Sequence, residues 1–470
     1  MNFLAIDLGA TSGRSVLATY DDGRISMRQL TRFDNPQIPV GGHLYWDLPH
    51  LYNEVLKALQ TVAAEDIQLQ SIGIDTWGCD FAFFGRDGQL LGLPHCYRDA
   101  YTDGAMERYW DQCMPAAELY ARTGIQFMPF NSLFQLYTQQ QLGHLAFSHA
   151  DKILFMPDAL IRMLTGESVC EYTVASTSQM LNPQTGDLDA DILCTLNLPR
   201  ERFGRLVQPG TVVGSLTTQV QRATGLGPIP VVAVGSHDTA SAVAAVPTQD
   251  AHYAYLSCGT WSLLGVESSH AVINDDSYAQ NFTNEGGLDG TTRFLKNICG
   301  LWIFEQCRKE WNRTGAVPQD VNVLNALCLE SECASLIQPD DPLFAHPDSM
   351  TQAIDTFLHR TGQALPQTPA DYVRVIFRSL AARYAEVIQM LHDLSDVDIQ
   401  RLHVIGGGSL NSHLMRFTAQ ALGIPVIAGP AEGTALGNAM VQVRASHLVD
   451  TLADMRAVIS RSIELTTYTA

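Results

Sequence analysis

No uninterrupted apolar run in the chain approaches the ~18 residues that cross a bilayer as a helix, so no membrane span is expected. A basic leader is missing too: Met1-Asn2 lead straight into FLAID, and a cytoplasmic protein is the expectation. Positive charge is scarce. Lys and Arg number 29 against 49 Asp and Glu, a net charge of -20 that repels nucleic acid and anionic membrane surfaces alike. Neither is expected as a partner. The ten cysteines include no CxxC pair, and no HExxH or His-x-His spacing accompanies them. Reduced, mostly buried thiols follow from that. Low-complexity and long polar tracts are also missing, so the whole chain should fold.

What is present begins with length. At 470 residues the chain exceeds the ~250 to 300 residues at which single cores stop growing, which predicts two domains. Residues 3–8, 14–20 and 25–33 read as strands, joined by the loop GATSG and by Asp22-Gly23, a hairpin signal. An apolar stripe of Leu51, Val55, Leu56, Leu59 and Val62 predicts a helix over 49–64, leading into the strand SIGID at 71–75. The same grammar returns later: PIPVVAVGSHD (228–238), HYAYLSCGTWS (252–262) and RLHVIGGGS (401–409) are strands ending in small or polar residues. Thr368-Pro-Ala-Asp371 caps a helix predicted over 370–393, whose buried stripe runs from Val373 to Leu391. Residues 246–250 form the candidate hinge, dividing the chain into 1–246 and 247–470. Two α/β domains facing across a cleft are predicted, with the loops at 9–14, 259–262 and 406–409 converging beyond strand ends. A monomer is expected, because no exposed heptad or long apolar edge is evident.

Gly9-Ala-Thr-Ser-Gly-Arg14 lacks the GK[ST] ending of a Walker A loop, and no GxGxxG opens a helix after a strand. Small residues that expose N–H groups, the hydroxyls of Thr11 and Ser12 and the fork of Arg14 suit an anion; a tight turn between strands is the plain alternative. Asp7 favours the anion reading. A carboxylate beside a phosphate cradle repels it, by ~4 kcal/mol at ~4 Å and an effective dielectric of 20, unless a cation such as magnesium intervenes. Asp238 in GSHDTAS opens an alanine-rich helical segment. It reads either as an N-cap with a depressed pKa or as the base that accepts a hydroxyl proton in phosphoryl transfer.

Asp7-Leu-Gly-Ala-Thr-Ser-Gly-Arg14, Gly73-Ile-Asp-Thr-Trp-Gly78, Ser236-His-Asp-Thr-Ala240, Leu256-Ser-Cys-Gly-Thr-Trp-Ser262 and Gly406-Gly-Gly-Ser-Leu-Asn411 occur in that order. Leu93-Pro-His-Cys-Tyr-Arg-Asp99, Thr123-Gly-Ile-Gln-Phe-Met-Pro-Phe-Asn131, Thr283-Asn-Glu-Gly-Gly287 and Lys296-Asn-Ile-Cys-Gly-Leu-Trp302 lie between them. In this arrangement the chain resembles the FGGY carbohydrate kinases from about residue 3 to at least 440. The resemblance implies two actin-like, ribonuclease H-like domains closing over ATP and a ketose. It implies transfer to a terminal hydroxyl, the C1 hydroxyl of L-rhamnulose being the nearest fit and L-fuculose or L-xylulose the rival sugars. A sugar sensor without turnover is the reading from another class.

By the same resemblance Ala10, Thr11, Ser12, Gly13, Arg14, Thr260 and Gly407 would contact ATP. Gly78, His237, Asp238, Thr239 and Asn297 would hold the sugar, with Asp238 as proton acceptor and Asp7 acting on Mg2+ through water. Each has a plain structural reading: a turn for Gly78 and Gly407, a core histidine for His237, a helix cap for Asn297. Glu305 stands where the pattern GLWxxQ expects glutamine. An ionised glutamate only accepts hydrogen bonds, so contact with a phosphate oxygen is unfavourable and a ribose hydroxyl or the adenine amine is the expected contact.

Overall fold

The computed structural model describes residues 1–315, 320–345 and 347–470. Strands β1 (Asn2–Leu8), β2 (Ser12–Asp21) and β3 (Arg24–Asp34) form the expected antiparallel meander. Asp22 and Gly23 both take positive φ, 45° and 69°, the backbone that a two-residue hairpin of matching twist requires. Helix α1 (Leu48–Ala64) starts where Asp47 accepts the His50 N–H, and it buries Leu48, Leu51, Val55, Leu59 and Val62 against Leu4, Ile6, Ile72 and Ile74 of the sheet. Each such side chain contributes ~1.5 to 3 kcal/mol of burial, so α1 holds one face of the sheet without help from intrinsic propensity. Strand β4 (Leu69–Thr76) runs parallel to β1, followed by β5 (Val212–Ser215) and β6 (Pro230–Val232). The sheet order is β5-β6-β4-β1-β2-β3. The apolar run at 228–238 is shorter as a strand than its composition suggests. After Val232 the chain leaves the ladder, Ser236 accepts the Thr76 N–H at 2.9 Å, and helix α2 (Asp238–Ala244) begins.

The second sheet contains β7 (Tyr253–Cys258), β8 (Trp261–Ser268), β9 (Thr283–Gly286), β10 (Thr292–Cys299), β11 (Arg401–Ile405), β12 (Val426–Ala428) and β13 (Thr466–Tyr468). Their order is β9-β10-β8-β7-β11-β12-β13. Helix α3 (Trp302–Thr314) follows β10, and helix α4 (Pro369–Leu394) has the predicted Thr368 and Asp371 capping box and the predicted buried stripe. Helix α5 (Gly433–Ala445) is buried along most of its length. The chain forms two compact units. One comprises Met1–Gln249, Glu267–Phe294 and Gly433–Ser462; the other comprises Asp250–Val266, Leu295–Glu432 and Ile463–Ala470. No helix among the described residues is long and apolar enough to cross a membrane.

Candidate active site

In the first unit, strand pairing sets Asp7 opposite Arg14 on one side and opposite Asp75 on the other. The loop between β1 and β2 closes with the Gly9 N–H donating to Ser12 O at 3.0 Å. Asn35 fastens it, donating from its backbone to Thr11 O and from Nδ2 to Gly9 O, each at 3.0 Å. Thr11 is exposed, while Ala10, Ser12 and Arg14 are half-buried. Gly13 is buried, and a Cβ there would lie 2.5 Å from the Phe33 ring, so close packing accounts for the glycine. Arg14 donates to Asp7 Oδ2 from Nε at 2.9 Å and from Nη2 at 2.6 Å. The charge conflict posed by Asp7 therefore has a partner within the protein: its own arginine neutralises it, ahead of any cation.

Asp75 was not singled out from the sequence, although it lies inside the GIDTWG motif. It is fully buried; Oδ2 accepts from Asn438 Nδ2 at 2.6 Å, and Oδ1 has no hydrogen-bond partner among the described residues. Burial, and then the Asp7 charge, push its carboxyl well above the usual range, and Asp238 adds to the shift. Asp238 is the first residue of α2, not its cap; the N-cap is His237. Asp238 Oδ1 accepts the Thr239 N–H at 2.6 Å and the Thr239 hydroxyl at 3.2 Å. The depressed pKa expected of a cap is not found. Burial raises the carboxyl and Asp7 adds to the rise, with the His237 ring pulling the other way. No cluster of three or more His, Cys, Asp or Glu side chains among the described residues is arranged to ligate a metal directly. Mutually repelling carboxylates with one orphaned oxygen fit a hydrated cation rather than an inner-sphere cage.

Behind Asp238 the His237 ring is buried, its Nε2 3.4 Å from Asp238 Oδ1. Its Nδ1 lies 3.2 Å from Arg293 Nη2 and 3.3 Å from Glu285 Oε2. Burial alone would raise Glu285, but Arg293 and then His237 outweigh it and hold the carboxyl below its usual range. Glu285 belongs to the TNEGG motif, the one sequence signal for this pair; Arg293 lies outside every motif singled out and gave none. Gly78 does not have positive φ. Its neighbour Cys79 does, at 70°, and a Cβ on Gly78 would come within 2.8 Å of Thr177 Oγ1, so packing rather than a turn demands the glycine. Trp77 fills the core beside Trp46 and donates to the buried Asp80 at 2.9 Å. Asp80 also accepts from Trp46, Gln135 and the Tyr97 N–H, and burial lifts it to about 6 against those donors.

In the second unit the Gly259-Thr260 turn joins β7 to β8, and its carbonyls accept the Leu301 and Trp302 N–H groups at 3.0 and 3.1 Å. The glycines after β11 lie against the same strand end: a Cβ on Gly408 would lie within van der Waals overlap of Cys258 Sγ. Gly406 takes φ of 86°; Gly407 does not, and a Cβ there meets no described atom within 4 Å. Neither packing nor backbone explains the glycine at 407. Asn297 lies within β10 and does not cap α3, whose N-cap is Leu301. Glu305 receives Nε and Nη2 of Arg308 at 2.9 and 2.6 Å, so its charge is already partnered. Beside Asn297, burial and the neighbouring Arg383 lower Lys296 to about 8, with Asp340 opposing.

The N-terminal domain of the FGGY family of carbohydrate kinases matches residues 2–245, and its C-terminal domain matches residues 254–446. A rhamnulokinase of Bacteroides thetaiotaomicron is 50% identical over 467 residues, covering 99% of this chain and 95% of the relative. One from Pectobacterium atrosepticum is 40% identical over 472 residues, covering 100% and 93%. Among solved structures, ligand-bound xylulose kinase from Lactobacillus acidophilus superposes with a TM-score of 0.81 at 16% identity, covering 100% of this chain and 93% of that one. Plasmodium falciparum glycerol kinase with ADP gives 0.80 at 15% identity, covering 99% and 93%.

Proposed function

The chain belongs to the FGGY family of carbohydrate kinases, which are phosphotransferases, and from that premise we propose that it transfers the γ-phosphoryl group of ATP to the C1 hydroxyl of L-rhamnulose. The sugar follows from full-length similarity to two rhamnulokinases, since fold alone does not choose among ketoses. The observation that carries the chemistry is Asp238, a carboxylate held at a helix start with its side chain 30% exposed and backed by a buried histidine.

Asp238 orients the C1 hydroxyl and accepts its proton as the oxygen bonds to the γ-phosphorus; the bond from that phosphorus to the β-bridging oxygen breaks, and ADP leaves. Gly78, His237, Thr239 and Asn297 position the sugar. The loop Ala10 to Arg14 receives the phosphates, and Thr260 and Gly407 support the nucleotide. Glu305, paired with Arg308, acts on the nucleotide through that pair, which removes the objection to a bare carboxylate near phosphate. Magnesium bound with the nucleotide would supply charge neutralisation, with Asp7 holding its waters. The phosphate loop and the sugar-holding residues other than Asn297 fall within residues 1–246, and Asn297 and the nucleotide roles of Thr260, Glu305 and Gly407 fall within 247–470, in a cytoplasmic monomer.

The test is ATP turnover with magnesium on L-rhamnulose, L-fuculose, L-xylulose, D-xylulose and glycerol, followed by the same assay on Asp238→Asn. Selective use of L-rhamnulose is expected, with phosphate on C1 in the product. The variant should fold, bind ATP and lose at least ~100-fold in kcat, the range in which general-base groups act. Preference for another ketose overturns the sugar, and near-normal turnover by the variant reduces Asp238 to a structural residue.

A further inference from the structure

We infer that Arg293 is a positioning residue for phosphoryl transfer: it donates to His237 Nδ1, fixes the ring proton on Nε2, and so aims a hydrogen-bond donor at Asp238 Oδ1. This rests on the reading of Asp238 as proton acceptor. A guanidinium stays protonated and has no acceptor, so a ring nitrogen 3.2 Å from Nη2 must offer its lone pair. A neutral imidazole with a bare Nδ1 carries its proton on Nε2, which lies 3.4 Å from Asp238 Oδ1. The other tautomer would turn a lone pair toward the Asp238 carboxylate at Nε2, and at Nδ1 it would set an N–H against Arg293 Nη2 and have to donate to Glu285 Oε2, 3.3 Å away and already the counter-charge of the arginine.

The surroundings hold the arginine in that role. Its side chain is fully buried, Nε donates to Gly286 O at 3.0 Å, and Glu285 lies 3.1 Å from Nη2 as counter-charge. A buried cation without such a partner would cost several kcal/mol. The consequence for the reaction lies on Asp238. Thr239 N–H, the Thr239 hydroxyl and His237 Nε2 all face Oδ1, which leaves Oδ2 to receive the hydroxyl proton. A base whose two oxygens are distinguished in advance holds the substrate hydroxyl in one orientation.

The decisive measurement is the 15N–1H spectrum of the histidine side chains in the full-length protein at neutral pH, with His237→Gln identifying the signal. A proton on Nε2 and a bare Nδ1 are expected. Arg293→Met should redistribute the tautomers and lower kcat by roughly 10-fold or more while the KM for ATP stays within about twofold, and Arg293→Lys should restore part of the loss. A wild-type ring protonated on Nδ1 overturns the inference without recourse to any variant, as does an Arg293→Met enzyme with unchanged tautomer and unchanged kcat. Loss of activity in Asp238→Asn alongside a wrong tautomer would sink the positioning role alone; near-normal turnover in Asp238→Asn would sink the base on which it rests.

Discussion

Glu171 lies behind the segment that carries His237 and Asp238. Its Oε2 accepts the Thr173 hydroxyl at 2.7 Å and the Val174 N–H at 3.0 Å, and Thr173 Oγ1 in turn accepts the His237 N–H at 3.2 Å. The side chain is fully buried, Oε1 has no hydrogen-bond partner among the described residues, and burial lifts the carboxyl to about 7 despite its donors. Asp158 sits on the Glu171 N–H and is itself raised, by burial first and by Glu171 second. A carboxyl raised in the folded state contributes stability that is fully present below its free-chain pKa of ~4.3 and is lost as pH climbs through the folded value. Glu171→Gln keeps the shape and the acceptor but cannot ionise. Relative to the wild type its gain should be on the order of 2 to 3 kcal/mol larger at pH 8 than at pH 5, read from denaturant midpoints at the two pH values. Equal differences at both pH values would show that Glu171 stays ionised in its pocket.

At the scale of elements, three successive glycines follow β11, and the structure assigns their neighbours different reasons. Gly407→Ala should leave unfolding midpoints within about 0.5 kcal/mol, because its Cβ meets no described atom within 4 Å. If the nucleotide lies against this backbone, the same methyl should raise the KM for ATP by roughly 10-fold. Gly408→Ala must displace Cys258 and should cost about 1 to 3 kcal/mol, so the pair of variants separates binding from folding in one set of melts and assays. Elements of this kind were legible in the sequence where a strand, a glycine loop or a capped helix has a period of its own, as in β1 to β3, α1 and α4. The apolar run before Asp238 was overread because burial, not strand pairing, accounts for Val234. Long stretches between residues 79 and 210 were not legible. Their short helices pack around satisfied polar groups such as Asp80, whose partners Trp46, Tyr97 and Gln135 are far apart in the chain. No local pattern reports such contacts. Asp75 and Arg293 escaped for the same reason, since their importance comes from neighbours hundreds of residues away or on other elements.

For the molecule as a whole, contact in space does not follow chain order. The first unit draws α5 from near the carboxyl end, and the helix brings polar side chains into the core of the first sheet. Gln442 Nε2 donates to Leu4 O at 3.1 Å, and Gln442 Oε1 accepts from Ser71 Oγ at 2.8 Å. Asn438 bonds the buried Asp75, and Gly437 packs so closely on Ser241 that a Cβ would overlap its carbonyl. Removing α5 would strand Ser71 and Asp75 without their partners and bare the part of β1 and β4 against which the helix packs. Each buried polar group left unpaired costs about 1 to 3 kcal/mol, and the net stability of a domain is only about 5 to 15 kcal/mol. A fragment ending at residue 249 should therefore show no sharp thermal transition and should bind a hydrophobic dye, although it contains Asp7, Arg14, His237 and Asp238. Joining it through a flexible linker to residues 433–462 should recover at least part of the cooperativity. A sharp, cooperative melt of the isolated fragment would mean that α5 is dispensable to the fold of the sheet.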